Sequence, residues 1–400
     1  MKLNLDQIIP DAYVGREQAY IKHLLLKGYL ERLLYIVGYH AHALGQGEVV
    51  FVDCFAGPWQ DDSADLSATS IGISLELLSQ VKDALAKVGK VVRFKAIYIE
   101  KNKHAFARLE NFLRSNTPDE IHTQCFPGDF VDRIPDLLKE IPSSSFAFFF
   151  IDPKGWAVVK PEVLSPLLSR PRSEFLINLM YDFANRVVSM AGQRETVAEL
   201  FGKYISIDEL PQDPTAREIY LLKLYRVAIT EKAKSHGNRA MTSYVSVLAP
   251  TADRTKYHLI YLTRHPKGII EFMEQSEQLA PVQNTVRAAA KFEKQKKDSG
   301  SGDLFGFDAD LLPTVASDTE RMQMLEELWL SKFSNNTLSV TIDVFASLLS
   351  ESDCFPSEIQ NALRSLINKG LVVNTDAKDI RRRTRNVVNF EKKELLRCTS

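Results

Sequence analysis

The sequence predicts an α/β protein built on a doubly wound, mostly parallel sheet, with a smaller domain appended. Three observations carry this. Short β-branched or aromatic runs alternate with segments of helical period from Val49 to Met180. The runs VVFV and FAFFFI are continuously apolar, as strands buried on both faces must be. A chain of 400 residues is also longer than one ordinary core requires.

Composition narrows the class. Apolar residues make up 45% and charged residues 25%, enough to bury a core and keep its surface wet. The formal net charge is only -1, so attraction to a polyanion has to come from local basic patches. The four cysteines, Cys54, Cys125, Cys354 and Cys398, show no CxxC spacing, which argues against a zinc site or a disulfide framework and suits a reducing cytosol. The start MKLNLDQIIPDAYVG lacks the features of a signal peptide, and no apolar run approaches a membrane span. The expectation is a cytoplasmic protein with no membrane or metal partner.

The elements follow in order. Apolar residues at helical spacing predict a helix from Tyr20 to about Tyr39. The run Val49 to Gly57 is a strand ending in small residues, followed by a helix over Ile71 to Val88 and a second strand, VRFKAIYIE, stopping at Glu100. Helix and strand then alternate: helix Lys103 to Arg114, strand His122 to Phe126, helix Val131 to Glu140, strand Phe146 to Ile151, helix Pro161 to Leu168 and strand Glu174 to Met180. AMTSYVSVLAP and KYHLIYLTRHP, joined by a polar turn at Ala252 to Thr255, read as a hairpin closing one edge. After about Thr285 a charge run and a Ser/Gly stretch have linker composition. The domains are therefore expected at 1-290 and 316-400, with a linker over 291-315. The second domain reads as helices Thr319 to Lys332, Ile342 to Ser350 and Pro356 to Asn368 with the strand-turn-strand LVVNTDAKDIRRRTRNVVNF, a layout resembling a winged helix.

Ligands of open α/β sheets bind beyond the strand C-termini, so the residues just after each strand are the candidates. After the first strand come Asp53, Phe55, Ala56 and Gly57, where small residues allow a sharp turn and Asp53 is a hydrogen-bond acceptor. Glu100 ends the second strand, where an acid takes both hydroxyls of a ribose or is simply solvated. Asp129 and Phe130 follow the third strand: Asp129 is either an acceptor for an adenine amino group, with Phe130 lining the base, or the N-cap of the next helix. The fourth strand delivers Asp152, Pro153, Gly155 and Trp156, either an acid to orient an acceptor group with an aromatic on which a planar substrate stacks, or a structural turn with a core Trp.

From Lys22 to about Met273 the chain resembles the three-Cys-motif partner (TcmP) family through VDCFAGPW, YIEK, GDF, FIDPKGW, INLMYDFANR and YLTRHPKGI. That resemblance implies a Rossmann-like class I methyltransferase dependent on S-adenosyl-L-methionine, encoded beside a three-cysteine-motif radical S-adenosylmethionine protein. More distantly the turns are similar to those of nucleic-acid adenine-N6 methyltransferases, which carry DPPY or NPPY at the fourth strand. Carried over, it makes Asp53, Phe55, Ala56 and Gly57 the methionine-side loop, Glu100 the ribose ligand and Asp129 the adenine ligand. Asp152, Pro153, Gly155 and Trp156 become the catalytic turn, and Lys22 resembles a lysine reaching toward cofactor or substrate in related ribosomal RNA enzymes. Asn178 and Arg186 also match the pattern. The chain departs from it twice: Trp59 stands where the family usually has Gly, and DPKGW replaces DPPY, so its aromatic comes one position later.

In the appended domain, Gln360 and Arg364 on the last helix and Arg381, Arg382, Arg383 and Arg385 in the wing have the layout of a groove-reading helix with a phosphate-touching wing, the alternatives being a protein-contact surface or a solvated cationic turn. The expected function is methyl transfer to nucleic acid, DNA or RNA, with the amino group of a base as acceptor. The alternative is an accessory subunit with a methyltransferase-like fold that binds nucleic acid or a partner without catalysis.

Overall fold

The computed structural model describes residues 9–43, 47–57, 66–181, 188, 194–234, 239–299, 318–377 and 386–399. Contacts divide the chain into two compact units, Met1–Arg264 with Thr285–Lys291 and His265–Asn284 with Phe292–Ser400.

The first unit is a seven-stranded sheet. Its strands are β1 (Glu48–Asp53), β2 (Arg93–Glu100), β3 (His122–Pro127), β4 (Phe146–Ile151), β5 (Ser173–Leu179), β6 (Met241–Leu248) and β7 (Thr255–Thr263). They lie in the order β3-β2-β1-β4-β5-β7-β6. The first five are parallel; β7 runs antiparallel to both β5 and β6, so the expected hairpin closes the edge. The direction in which successive strands are added reverses between β1 and β4, which makes the gap between their C-terminal ends the topological switch point.

Helices α1 (Glu17–Ala43), α2 (Ser70–Lys87), α3 (Lys103–Asn116), α4 (Phe130–Glu140), α5 (Pro161–Leu168), α6 (Arg194–Phe201) and α7 (Pro214–Ala233) belong to this unit. One sheet face, with Val50, Val52, Ile97, Ile99, Phe149, Ile151, Phe175 and Ile177, forms a single core with α4 to α7. Because side chains alternate along a strand, the residues between these point to the opposite face. There the Phe51 ring lies 6.4 Å from Tyr98 and 6.2 Å from Phe148, and the Tyr29 ring of α1 packs 6.0 Å from Phe148.

The strand-to-helix turns are held by side-chain caps. Thr69 accepts from Gly72 N at the start of α2, and Asn102 accepts from His104 N and Ala105 N at the start of α3. Helices α6 and α7 fall in a stretch where the sequence reading placed no element.

The linker expectation is corrected. A helix α8 spans Pro266–Ser299, so residues 291–299 continue a helix, and 300–317 lie outside the described residues. Its AAAKFEKQKK stretch is rich in Ala, Lys, Glu and Gln, strong helix formers whose charge mimics a linker.

In the second unit, α9 (Asp318–Ser331), α10 (Ile342–Ser352) and α11 (Pro356–Asn368) are joined to an antiparallel sheet of β8 (Thr337–Ser339), β9 (Val372–Asn374) and β10 (Leu395–Cys398) in the order β8-β10-β9. The returning strand is LLRC, not the expected NVVNF. Val387 and Val388 are buried in a turn, pinned there by a side chain of α11.

Candidate functional site

Three acids converge at the strand ends. Asp53 closes β1 opposite Tyr98 of β2 and Phe150 of β4. Glu100 lies two residues beyond Tyr98 and Asp152 two residues beyond Phe150, so pleat alternation sends all three carboxylates to the α1 and α2 face. Asp53 and Asp152 flank the switch point.

Asp53 is fully buried, accepting from Phe55 N at 3.0 Å and from the Ser70 hydroxyl at 2.5 Å. Burial pushes its carboxyl up to about 6, with the Asp152 charge adding to the rise; the two hydrogen bonds and Lys22 oppose it. Beside it Ala56 is buried and Gly57 half-buried, and Ala56 N donates to Ile99 O at 2.9 Å, tying the small-residue turn to β2. Glu100 is buried, with Oε1 accepting from Asn102 N at 2.5 Å.

Asp152 is the centre of a polar cluster. Its Oδ2 takes an ion pair from Lys22 of α1, and its Oδ1 accepts from Asn178 Nδ2 of β5 at 2.6 Å. Burial alone would raise the Asp152 carboxyl, but the Lys22 ammonium and the Asn178 hydrogen bond hold it below its ordinary value. Next to Lys22, His23 is buried with Nδ1 at 3.0 Å from Tyr13 Oη; burial first, and the Lys22 charge second, lower its pKa to about 3. Asn178 is 3% exposed and its Oδ1 has no hydrogen-bond partner among the described residues. A buried acceptor left unmet costs roughly 1–3 kcal/mol. Turning the amide over would set its oxygen against the carboxylate, so the observed orientation is the better one.

The other candidates are placed as follows. Pro153 is buried, Gly155 has open space around it, and Trp156 is half-buried against the core with the Lys160 ammonium 5.6 Å from its ring. Asp129 is the N-cap of α4, its Oδ1 accepting from Val131 N at 3.1 Å while Oδ2 faces Lys101 at 3.8 Å. The preceding Gly128 has φ +126, a conformation that favours glycine, and turns the chain from β3 into this cap.

Phe130 is a correction. Its ring is 2% exposed and packs into the core 5.2 Å from that of Phe55, because it is the first apolar position of α4's buried stripe. It presents no surface to a base. Gln360 is the second correction: it is 3% exposed, with Oε1 accepting from Val387 N and Val388 N and Nε2 donating to Val388 O. It clamps a turn and cannot read a groove. Arg364 stays half-buried on α11. Trp59, Arg186, Arg381, Arg382, Arg383 and Arg385 lie outside the described residues.

The sequence reading did not single out His23, Ser70 or Tyr257. The Tyr257 hydroxyl donates to Gln18 O at 2.7 Å, and the Asp152 charge contributes, after burial, to raising its pKa. Only the adjacency of His23 to Lys22 was a signal. A cleft of about 830 Å3 opens elsewhere, between α5, α6 and α7 around Val163, Phe201, Leu224 and Ala228, and none of the acids lines it.

The order β3-β2-β1-β4-β5-β7-β6, with β7 reversed and acids at successive strand ends, fits the Rossmann-like fold of S-adenosylmethionine-dependent methyltransferases. No family model and no curated protein matches the chain. Among solved structures, it is similar to a Legionella pneumophila protein of the DUF519 family model (10% identity, TM-score 0.36, covering 69% of this chain and 94% of that one). It is also similar to a Geobacter metallireducens precorrin-6y C5,15-methyltransferase (11%, TM-score 0.25, 58% and 88%) and to a loganic acid methyltransferase with SAH (10%, TM-score 0.29, 71% and 89%). These superpositions are loose, and strand order and side-chain geometry carry the functional reading. Among the described residues no helix is long and apolar enough to cross a membrane.

Proposed function

We propose that this chain is an S-adenosylmethionine-dependent methyltransferase of the three-Cys-motif partner family, acting in the cytoplasm on nucleic acid, with the amino group of a base as acceptor. The observation that carries the reading is the alignment of Asp53, Glu100 and Asp152 on one face of the sheet at its switch point.

The donor set suits the cofactor: a buried carboxylate beside a small-residue turn for a methionine ammonium, and a second carboxylate one strand away for ribose hydroxyls. When bound, S-adenosylmethionine supplies an electrophilic methyl carbon on a sulfonium. Asp53 pairs with the ammonium, and Glu100, oriented by Asn102 N–H, accepts from the ribose. Asp152, ionised at neutral pH because its carboxyl is held low, accepts from the acceptor's N–H and aligns its nitrogen. Catalysis is then chiefly positioning. Arg364 and the wing arginines supply phosphate contacts in a winged-helix unit, and a radical S-adenosylmethionine protein is a partner. A second reading, an accessory subunit without transfer, is favoured by one fact: both Asp152 oxygens already have protein partners.

The test is incubation of the full chain with methyl-labelled S-adenosylmethionine and total RNA or DNA. Incorporation that disappears in Asp152→Ala is expected. No incorporation by wild-type protein that binds S-adenosylhomocysteine in calorimetry overturns transfer in favour of the accessory reading.

A further inference from the structure

We infer that Asn178 is a specificity-determining residue: its unmet Oδ1 and the Asp152 carboxylate form a two-acceptor site for a nitrogen carrying two hydrogens. This rests on the methyl-transfer reading and adds to it the residue that confines the acceptor to a group with two hydrogens.

The argument starts from hydrogen-bond capacity. Asn178 Nδ2 is committed to Asp152 Oδ1 at 2.6 Å, which fixes the amide and turns Oδ1 away from the carboxylate. That oxygen is buried at the C-terminal edge of β5, where Ile151 of β4 stands opposite Ile177, so Asn178 lies directly beside Asp152 in the sheet. Native proteins seldom leave such an atom unpaired, and this one lies beside an acid at the strand ends, where ligands of open α/β sheets bind. Among the described residues, the neighbouring acceptor, Asp152 Oδ2, is met by the Lys22 ammonium, which retains 13% of its side-chain surface. An incoming NH2 group gives one hydrogen to the remaining lone pair of Asp152 Oδ2, beside Lys22, and the other to Asn178 Oδ1, satisfying the orphan. A hydroxyl, a thiol or a ring N–H has one hydrogen and leaves one acceptor buried and unmet. Sites built this way reject the analogue lacking a donor far more strongly than apolar pockets reject a methylene.

The transfer balances within this frame. The nitrogen lone pair forms the new N–C bond, the methyl C–S bond breaks with its electron pair retained by sulfur, and one of the two N–H protons passes to water. The product amine keeps one N–H, so one acceptor loses its partner, which favours release and a single methylation.

The experiment supplies S-adenosylmethionine with a deuterated methyl to the full chain with total RNA and, separately, heat-denatured DNA, then identifies labelled nucleosides by mass spectrometry. Label on exocyclic amino nitrogens, one methyl per base, is expected. Asn178→Ala and Asn178→Ser, the latter keeping a hydroxyl donor toward Asp152, are each expected to lower that product at least 10-fold while S-adenosylhomocysteine affinity by calorimetry stays within 3-fold. If the Ala variant does not fold, the Ser variant decides. Label confined to ring atoms or ribose oxygens, or Asn178→Ser with undiminished product, overturns the inference and leaves methyl transfer standing. No label at all overturns both.

Discussion

Lys22 and Asp152, 130 residues apart in the chain, form an ion pair in which the side chains retain only 13% and 20% of their surface. The pair joins the first helix to the end of the fourth strand. Removing one partner leaves the other as a nearly buried, uncompensated charge, which costs more than the intact pair contributes. Lys22→Met is therefore expected to destabilise the fold by about 2–4 kcal/mol at pH 7, measured by urea denaturation. Its Asp152 carboxyl should titrate higher than in the wild type, since the ammonium that holds it down is gone. The double variant Lys22→Met/Asp152→Asn should recover most of the loss. A single variant as stable as wild type would show that the pair is incidental.

Asp53 makes ligand affinity pH-dependent. Its folded carboxyl titrates at about 6 against an ordinary 3.8. Between these values the native state holds a proton the unfolded chain has lost, so this contribution to stability is present below about pH 4 and lost as pH rises through 6. Its size is on the order of 2–3 kcal/mol. A bound ammonium needs the ionised form, so S-adenosylhomocysteine affinity is expected to fall about tenfold per pH unit below 6 and to level off above it. Calorimetry across pH 5 to 8 checks this, and Asp53→Asn should flatten the profile while weakening binding throughout.

His23 carries the opposite sign. Its folded pKa is about 3 against 6.5, so the unfolded chain takes up a proton that the native state refuses, and stability is lost as pH falls below 6.5. From pH 6 to 4 this loss opposes the gain from Asp53, to which the raised Glu174 carboxyl adds. Wild-type stability should change little across that window. His23→Gln removes one side of the balance and should make the protein more stable at pH 4.5 than at pH 6 in denaturant titrations; a variant that loses stability on acidification would contradict the assignment.

The sheet was legible because β1, β4 and β5 and most of β2 are apolar runs bounded by polar turns, and the alternation they set places the more polar β3. The predicted β4 and α5 coincide with the observed ranges, and the other paired strands differ by a few residues at their ends. Helix α7 buries Leu221, Leu222, Tyr225 and Ile229, but the apolar Ile219 and Val227 on its exposed side blur that stripe in the sequence. Helix α8 was harder, since its charge run imitates a linker. The acids at the strand ends followed from strand assignment alone. What no local pattern contains is partnership: that Phe130 packs on Phe55, that Lys22 reaches Asp152, or that Asn178 has one oxygen to spare. These are long-range contacts fixed by the fold.

Gln360 is the sharpest case of that limit, and it yields a separable prediction. On a helical wheel it shares the polar face of α11 with Asn361 and Arg364, yet it alone is buried, because the turn at Val387 and Val388 closes over it. Its three hydrogen bonds satisfy two backbone N–H groups and one carbonyl that lie outside any strand. Gln360→Leu keeps the volume and strips the partners, leaving backbone groups unpaired in the core, so roughly 2–4 kcal/mol should be lost from the second unit. Arg364→Ala, on the same helix, should reduce RNA or DNA affinity and the steepness of its salt dependence. Paired melting and fluorescence-anisotropy titrations distinguish the two. If Gln360→Leu weakens nucleic-acid binding at full stability, the clamp assignment is wrong and the residue faces the ligand after all.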